Sequence, residues 1–441
     1  MVLIMTILYL DSNKLNFGFD RFNGSHIVES IDSFLSVIEA SDFFQRKIGQ
    51  VDLILYNPHI FVFLIETFDF DLEGFFSNQS MECIPYANPK DILPLSSKIE
   101  RHLTKLFPTN NRDRVLDFVE AYKGKCVLVT GAGGSIGSEL VKQLLMADVS
   151  SCCCLDLSEF SVFNLKRKLS TSDLHKTKIY VGSYGDTDLL TNIFKENKVD
   201  LVINAAAYKH VSIMQVAPYA ALKNNVENFV SLLKTSSKHG VTNIIQVSTD
   251  KAAEPSNVMG FSKFLCEQLL INADKYLDSQ FTYSIVRFGN VVGSSGSVIP
   301  IFVDNIKQGK NLKVTDNNVE RFMMQINDAV GLILHAAKNQ KNETYVLDMG
   351  NPYKIKALAV KMLKNSVFTY SDSSIEYTGL EEGEKLSEVL LTAEEQASCI
   401  FDNGVLVIKN QKNVLLSDED MRSIFEGDTA LLFRHLDDAL I

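Results

Sequence analysis

Glycine and proline are scarce, 23 and nine residues among 441, which excludes a collagen-like or low-complexity chain. A basic excess is missing as well: 43 Lys and Arg stand against 54 Asp and Glu, a net charge of −11. That argues against a nonspecific nucleic-acid binder, yet leaves room for a local basic pocket that takes a phosphorylated metabolite. No apolar run approaches the ~20 residues needed to span a bilayer. The opening MVLIMTILYL ends at Asp11 without a basic flank, and the run from Val51 to Ile65 is broken by Asn57, Pro58 and His59. No segment reads as a signal peptide, so the cytoplasm is the expected location. The eight histidines show no HxxxH spacing and the seven cysteines no CxxC, so no metal is assigned. Cys152, Cys153 and Cys154 lie in a strand-like run, where successive side chains point to opposite faces. They read as buried thiols in a reducing compartment.

What is present divides the chain into three stretches. Residues 1–95 read as a small α/β unit, with strands at Ile7–Leu10, Val51–Tyr56 and Glu82–Tyr86 and a helical pattern over Ile27–Ala40. Alternating strands and helices imply a parallel sheet. No glycine-rich phosphate loop occurs there, so the unit is expected to serve interaction or regulation. Residues 96–122 read as a helical connector. From Lys123 onward the pattern sharpens, and 123–441 is expected to form a dinucleotide-binding domain with a smaller substrate part at its C-terminal end.

The first strand of that domain, Cys126–Thr130, runs directly into Gly131-Ala132-Gly133-Gly134-Ser135-Ile136-Gly137, and a helical stretch follows over Ser138–Met146. Strand, glycine loop and helix in that order give a dinucleotide-binding fingerprint its context. Gly131 suits the tight turn, Gly134 the approach of a pyrophosphate, and Gly137 close helix–strand packing, with the helix N-terminus facing the anion. The next strand, Ser151–Leu155, ends at Asp156, 19 residues after Gly137, where an acidic side chain meets the adenosine ribose. Ser158, Lys166 and Arg167 nearby leave both NAD and NADP open. Further strands are predicted at Lys178–Val181, Leu201–Asn204, Asn243–Val247 and Tyr283–Phe288, and the whole reads as a doubly wound parallel α/β sheet. Ligands of such sheets lie beyond the strands' carboxyl ends. Those ends carry Ala205-Ala206-Ala207-Tyr208-Lys209-His210 and Ser248-Thr249-Asp250-Lys251, and the latter sets an acid beside a base. Met259-Gly260-Phe261-Ser262-Lys263 opens a helix soon after.

These stretches, together with VRFGNVVGSSGSVIPIF, YVLDMGNP and TGLEEGEKLSE, resemble the extended short-chain dehydrogenase/reductases. Among those they are most similar to the nucleotide-sugar 4,6-dehydratases that act on UDP-N-acetylglucosamine in bacterial glycan synthesis. The resemblance covers Lys123 to about Glu395. It implies tightly bound NAD or NADP, a nucleotide-sugar substrate and a homo-oligomer. It also implies the site residues. Thr249, Asp250, Lys251, Met259 and Lys263 would carry the chemistry. Asp250 would protonate the leaving C6 hydroxyl, and Lys251 would take the C5 proton, which requires burial or nearby positive charge. Thr249 would meet the C4 oxygen, and Lys263 the nicotinamide ribose. The cofactor would rest on Gly131, Gly134, Ser135, Ile136, Gly137, Asp156, Ser158, Asp186, Ala205, Ala206, Ala207 and Asn225; for Asp186 a helix N-cap is the rival role. Lys209, Asn290, Ser297, Arg321 and Glu384 would bind substrate; for Arg321 an exposed salt bridge is the rival.

Two features qualify this likeness. Met259 stands where the superfamily carries its catalytic tyrosine, as in a branch that retains configuration at C5. Gln215 and Glu382 stand where the family usually has Glu and Pro. A C5-inverting dehydratase, a nucleotide-sugar 4-epimerase and a noncatalytic cofactor-binding regulator are the alternatives.

Overall fold

The computed structural model describes residues 119–441 apart from 340, 365–373, 403, 411–415, 429 and 441, and before them the backbone of five strands. The chain separates into two units, one built on its first 103 residues. In that unit β1 (Ile7–Asp11), β2 (Asn16–Phe19), β3 (Val28–Ser30), β4 (Leu53–Tyr56) and β5 (Glu82–Pro85) form a sheet ordered β3-β2-β1-β4-β5. The pairs β1–β4 and β4–β5 are parallel, as expected for the three strands read from sequence. The antiparallel β1–β2–β3 meander is not in the sequence reading. β3 corrects the start of the helical pattern proposed from Ile27; the rest of that stretch, Asn57-Pro58 and most of the connector lie outside the described residues.

The second unit is built on a nine-stranded sheet. Its strands are β6 (Cys126–Thr130), β7 (Ser151–Asp156), β8 (Thr177–Val181), β9 (Leu201–Asn204), β10 (Asn243–Val247), β11 (Thr282–Arg287), β12 (Glu343–Leu347), β13 (Ile400–Asp402) and β14 (Val405–Lys409). The order is β13-β14-β12-β11-β10-β9-β6-β7-β8. From β12 to β8 every pairing is parallel; β14 and β13 add an antiparallel edge. This is the expected doubly wound architecture, with the reversal of strand order between β6 and β9. β6, β9 and β10 are rich in Val, Ile and Leu because both their faces are covered. Leu128, Cys153, Val202, Ile244 and Ile285 face one apolar layer, whereas Val127, Cys152, Cys154, Ile203 and Val286 face the other. The cysteine trio is thus split between the two layers by the strand's alternation.

Helices α1 (Ser135–Met146), α2 (Glu159–Lys168), α3 (Thr187–Glu196), α4 (Asn228–Lys238), α5 (Val258–Asn272) and α6 (Ile326–Asn339) cover the sheet. α1 and α6 pack in the second layer, α3, α4 and α5 in the first. α5 is buried around nearly its whole girth, and Met421, Ile424, Phe425 and Leu432 from the C-terminal helices share its core. A buried polar ladder ties the strand ends together: the Thr130 hydroxyl donates to Asn204 Oδ1 at 2.6 Å, and Asn204 Nδ2 to Gln246 Oε1 at 2.8 Å. These bonds satisfy polar groups that would otherwise be costly to bury.

Candidate active site

A cavity of about 1090 Å³ opens at the carboxyl ends of β6, β9, β10 and β11, at the upper end of the range for small-molecule sites. Its floor is the glycine loop. Gly131 has φ +64°, and a Cβ there would lie 2.8 Å from the Ala206 Cα. At Gly137 a Cβ would lie 2.0 Å from the Gly131 carbonyl oxygen. Neither position tolerates a side chain without moving backbone. No side chain caps the N-terminus of α1, whose first residue Ser135 lines the cavity with Ile136. Its free amides and positive dipole end suit an anion. Asp156, at the tip of β7, accepts from the amides of Gly133 and Ser158, each at 2.9 Å. This holds its carboxylate beside the loop. Those features together fit a dinucleotide.

Other expected cofactor residues act one layer back. Ala205 and Ala207 line the cavity, while Ala206 packs over Gly131. Asn225 is 1% exposed and does not reach the cavity. Its Oδ1 accepts from the Tyr208 amide, and its Nδ2 donates to the Tyr208 carbonyl and the Ser262 hydroxyl. It clamps the alanine loop to α5. Ser158 caps α2. Asp186 caps α3, accepting from the amides of Asp188 and Leu189 at 3.1 and 3.0 Å, so the structure gives it the rival role.

Across the cavity stand Thr249, Lys251, Met259 and Lys263. Asn257 caps α5 by accepting from Gly260 N, which places Met259 in the first turn, buried and facing in. Lys263 follows one turn later; burial lowers its pKa against the opposing pull of Cys266 and Glu267. Asp250 departs from expectation. It heads a 3₁₀ turn that rolls its carboxylate back, 1% exposed, onto the Lys251 amide at 2.9 Å and the Thr249 hydroxyl at 2.8 Å. It is absent from the cavity wall, and Oδ2 is buried with no hydrogen-bond partner among the described residues. Lys251 Nζ donates to Asp250 Oδ1 at 3.0 Å and lies 3.7 Å from Glu388 Oε1. The Lys251 side chain is partly exposed, and its near neighbours are carboxylates rather than the positive charge expected.

The far wall is set by loops. Lys209 Nζ donates to the Ser295 carbonyl at 2.8 Å, and Ser295 N donates to Ser135 Oγ at 3.0 Å, which closes the serine loop against the glycine loop. Asn290 and Ser297 line the cavity, and the Oδ1 of one and the Oγ of the other are buried without a partner among the described residues. Arg321 is buried, not exposed, and pairs with Glu384 at 2.8 Å, so two expected substrate residues hold each other. Gln215 bridges Val258 N and the Glu382 carboxylate.

The sequence reading misses Glu388 and a buried charge network. Arg287 at the end of β11 donates to Glu267 through Nε and Nη2 at 2.9 and 2.6 Å, and to both oxygens of Glu395 at 2.9 and 3.0 Å. The Ser248 hydroxyl also donates to Glu267. Burial alone would lower the guanidinium's pKa, but the two carboxylates hold it above its usual value. Among the described residues no three His, Cys, Asp or Glu side chains converge as a metal requires, and no described helix is long and apolar enough to cross a membrane.

Known proteins resemble this chain in sequence and fold. An uncharacterized membrane protein of Methanocaldococcus jannaschii is 38% identical over 285 residues, 63% of this chain and 84% of that protein. The capsular polysaccharide biosynthesis protein CapD of Staphylococcus aureus is 38% identical over 277 residues, 62% of this chain and 46% of CapD. The chain therefore spans under half the length of that relative. A UDP-glucose 4-epimerase of Rickettsia bellii is 32% identical over 280 residues, 62% of this chain and 79% of the epimerase. Among solved structures, Pen from Bacillus thuringiensis superposes with a TM-score of 0.62 at 28% identity, covering 70% of this chain and 99% of Pen. The family model described as polysaccharide biosynthesis protein matches residues 127–410, and the chain belongs to that family of extended short-chain dehydrogenase/reductases.

Proposed function

We propose that the chain is a nucleotide-sugar 4,6-dehydratase for polysaccharide synthesis, acting on UDP-N-acetylglucosamine with retention at C5 and a tightly held NAD or NADP. The observation that carries this reading is Lys251, bridged at 3.0 Å to the recessed Asp250 and lining the same cavity as Lys263, Met259 and the glycine cradle. Bound NAD(P) would accept hydride from sugar C4, whose hydroxyl proton would leave to water beside Thr249, and would return the hydride to C6 as Lys251 gives a proton back to C5. The glycine loop and Asp156 would hold its pyrophosphate and ribose, and Lys263 its nicotinamide ribose. Lys209, Asn290, Ser297, Arg321 and Glu384 would hold the nucleotide sugar, the orphan oxygens of Asn290 and Ser297 being its hydrogen-bonding partners.

Elimination then needs one proton removed and one supplied. Lys251 Nζ would take the C5 proton of the 4-keto sugar; the C5–H electron pair becomes the C5–C6 double bond as the C6–O bond breaks. The oxygen leaves as water with a proton from Asp250. Because Asp250 sits behind the cavity wall, that proton would reach the sugar through the Thr249 hydroxyl, which is bonded to Asp250 and lines the cavity. Met259 has no proton to give and forms an apolar wall that excludes water.

The epimerase relative and the recessed Asp250 favour a second reading, a C4 epimerase, which needs no elimination. A proton NMR time course with UDP-N-acetylglucosamine in deuterated water separates the two. A C6 methyl signal with deuterium at C5 and D-configuration is expected. An L-configuration removes the retaining assignment, and interconversion of C4 epimers without a methyl signal removes the dehydratase.

A further inference from the structure

Glu388 has no role in the scheme above, yet it is 6% exposed, lines the cavity and brings its Oε1 to 3.7 Å from Lys251 Nζ. Lys251 thus lies between a carboxylate on its own turn and one from a segment far along the chain. Asp250 alone would neutralise the ammonium. A second buried carboxylate carries a desolvation penalty that a resting ion pair does not require.

The proton inventory gives it a purpose. Transfer of one proton along the 3.0 Å bond from Lys251 Nζ to Asp250 Oδ1 creates a neutral amine and a neutral carboxyl group together. Those are the base and the acid that elimination needs, and no outside proton is consumed. Glu388 takes no part in this exchange. When Nζ takes the C5 proton, a positive charge forms at ion-pair distance from Glu388, while Asp250 gives its proton up toward C6. We propose that Glu388 is a positioning residue for Lys251: it holds Nζ at the cavity wall and stabilises the ammonium that forms there during C5 deprotonation. This role rests on the dehydratase reading.

The test uses the full chain and Glu388→Gln, with melting curves to confirm folding. In the cofactor-loaded protein, substrate should reduce the nicotinamide, read by its near-ultraviolet absorbance, as fast in the variant as in wild type. Deuterium entry at C5 should slow at least about tenfold, the scale of a general-base contribution. Glu388→Asp should fall between the two, and it carries the comparison if Glu388→Gln does not fold. In cofactor-free protein, acetic anhydride labelling of Lys251, read by peptide mass spectrometry, should be several-fold faster in Glu388→Gln, because its ammonium has lost a partner. Wild-type C5 exchange and labelling in that variant overturn the role, as does an equal slowing of both chemical steps with labelling unchanged. A wild type that only interconverts C4 epimers overturns the dehydratase reading, and the role with it.

Discussion

Replacing Glu267 by Gln keeps the side chain's shape and removes its charge, at a position 1% exposed and bonded to Ser248 and twice to Arg287. The amide nitrogen that takes the place of one carboxylate oxygen must face a donor, so at least one of three bonds is lost. Arg287, itself buried, keeps only Glu395, whose side chain is 21% exposed. Breaking a buried pair from one side costs about 3–5 kcal/mol, chiefly through the uncompensated partner. A unit of roughly 320 residues unfolds with an entropy near 0.7 kcal/mol/K, so the melting temperature should fall by about 4–7 °C. Calorimetry on the single variant and on Glu267→Leu with Arg287→Met completes the argument. The double variant removes the buried Arg287–Glu267 pair whole and should recover most of the loss. A single variant that melts within about 1 °C of wild type would show that the network is solvated and the reasoning wrong.

Lys263→Met should stabilise the fold while abolishing turnover, because a buried amine with a lowered pKa gives way to a thioether of similar length. The sign follows from linkage. The folded protein binds this proton less readily than the unfolded chain, so wild-type stability rises with pH up to the unfolded lysine range near 10.4. The advantage of the variant in melting temperature should therefore shrink between neutral pH and about pH 10; a constant gap would refute the burial cost. Asn225→Ala should leave the Tyr208 amide and carbonyl without this partner, while the Ser262 hydroxyl keeps its bond to the Met259 carbonyl, at roughly 1–3 kcal/mol. Cofactor affinity, measured by calorimetric titration, should drop with it, although Asn225 reaches no ligand.

Much of this was legible in the sequence because the deciding residues are neighbours in it. Apolar strands, the glycine loop and Asp156 each announce themselves within one βαβ unit, and the strand-end motifs fall on the cavity wall as expected. β13 and β14 were not legible: the edge strand Ile400–Asp402 is exposed throughout and shows no buried face to read. β3 hides in a segment whose apolar spacing also fits a helix. The orientation of Asp250 escaped because a tight turn, not residue type, decides which way a carboxylate points.

Glu388 and Glu395 were invisible for a different reason. Glu395 meets Arg287 across 108 positions of sequence, and a lone acid on the polar-looking stretch 381–398 carries no local sign of its partner. Yet both long-range pairs fasten the same stretch to the ends of β10 and β11: Glu395 through Arg287, Glu388 through Lys251. Arg321 adds a third tie through Glu384 and the Leu386 carbonyl. Three cations on the strand-end side gripping one acidic segment make that segment part of the site's wall.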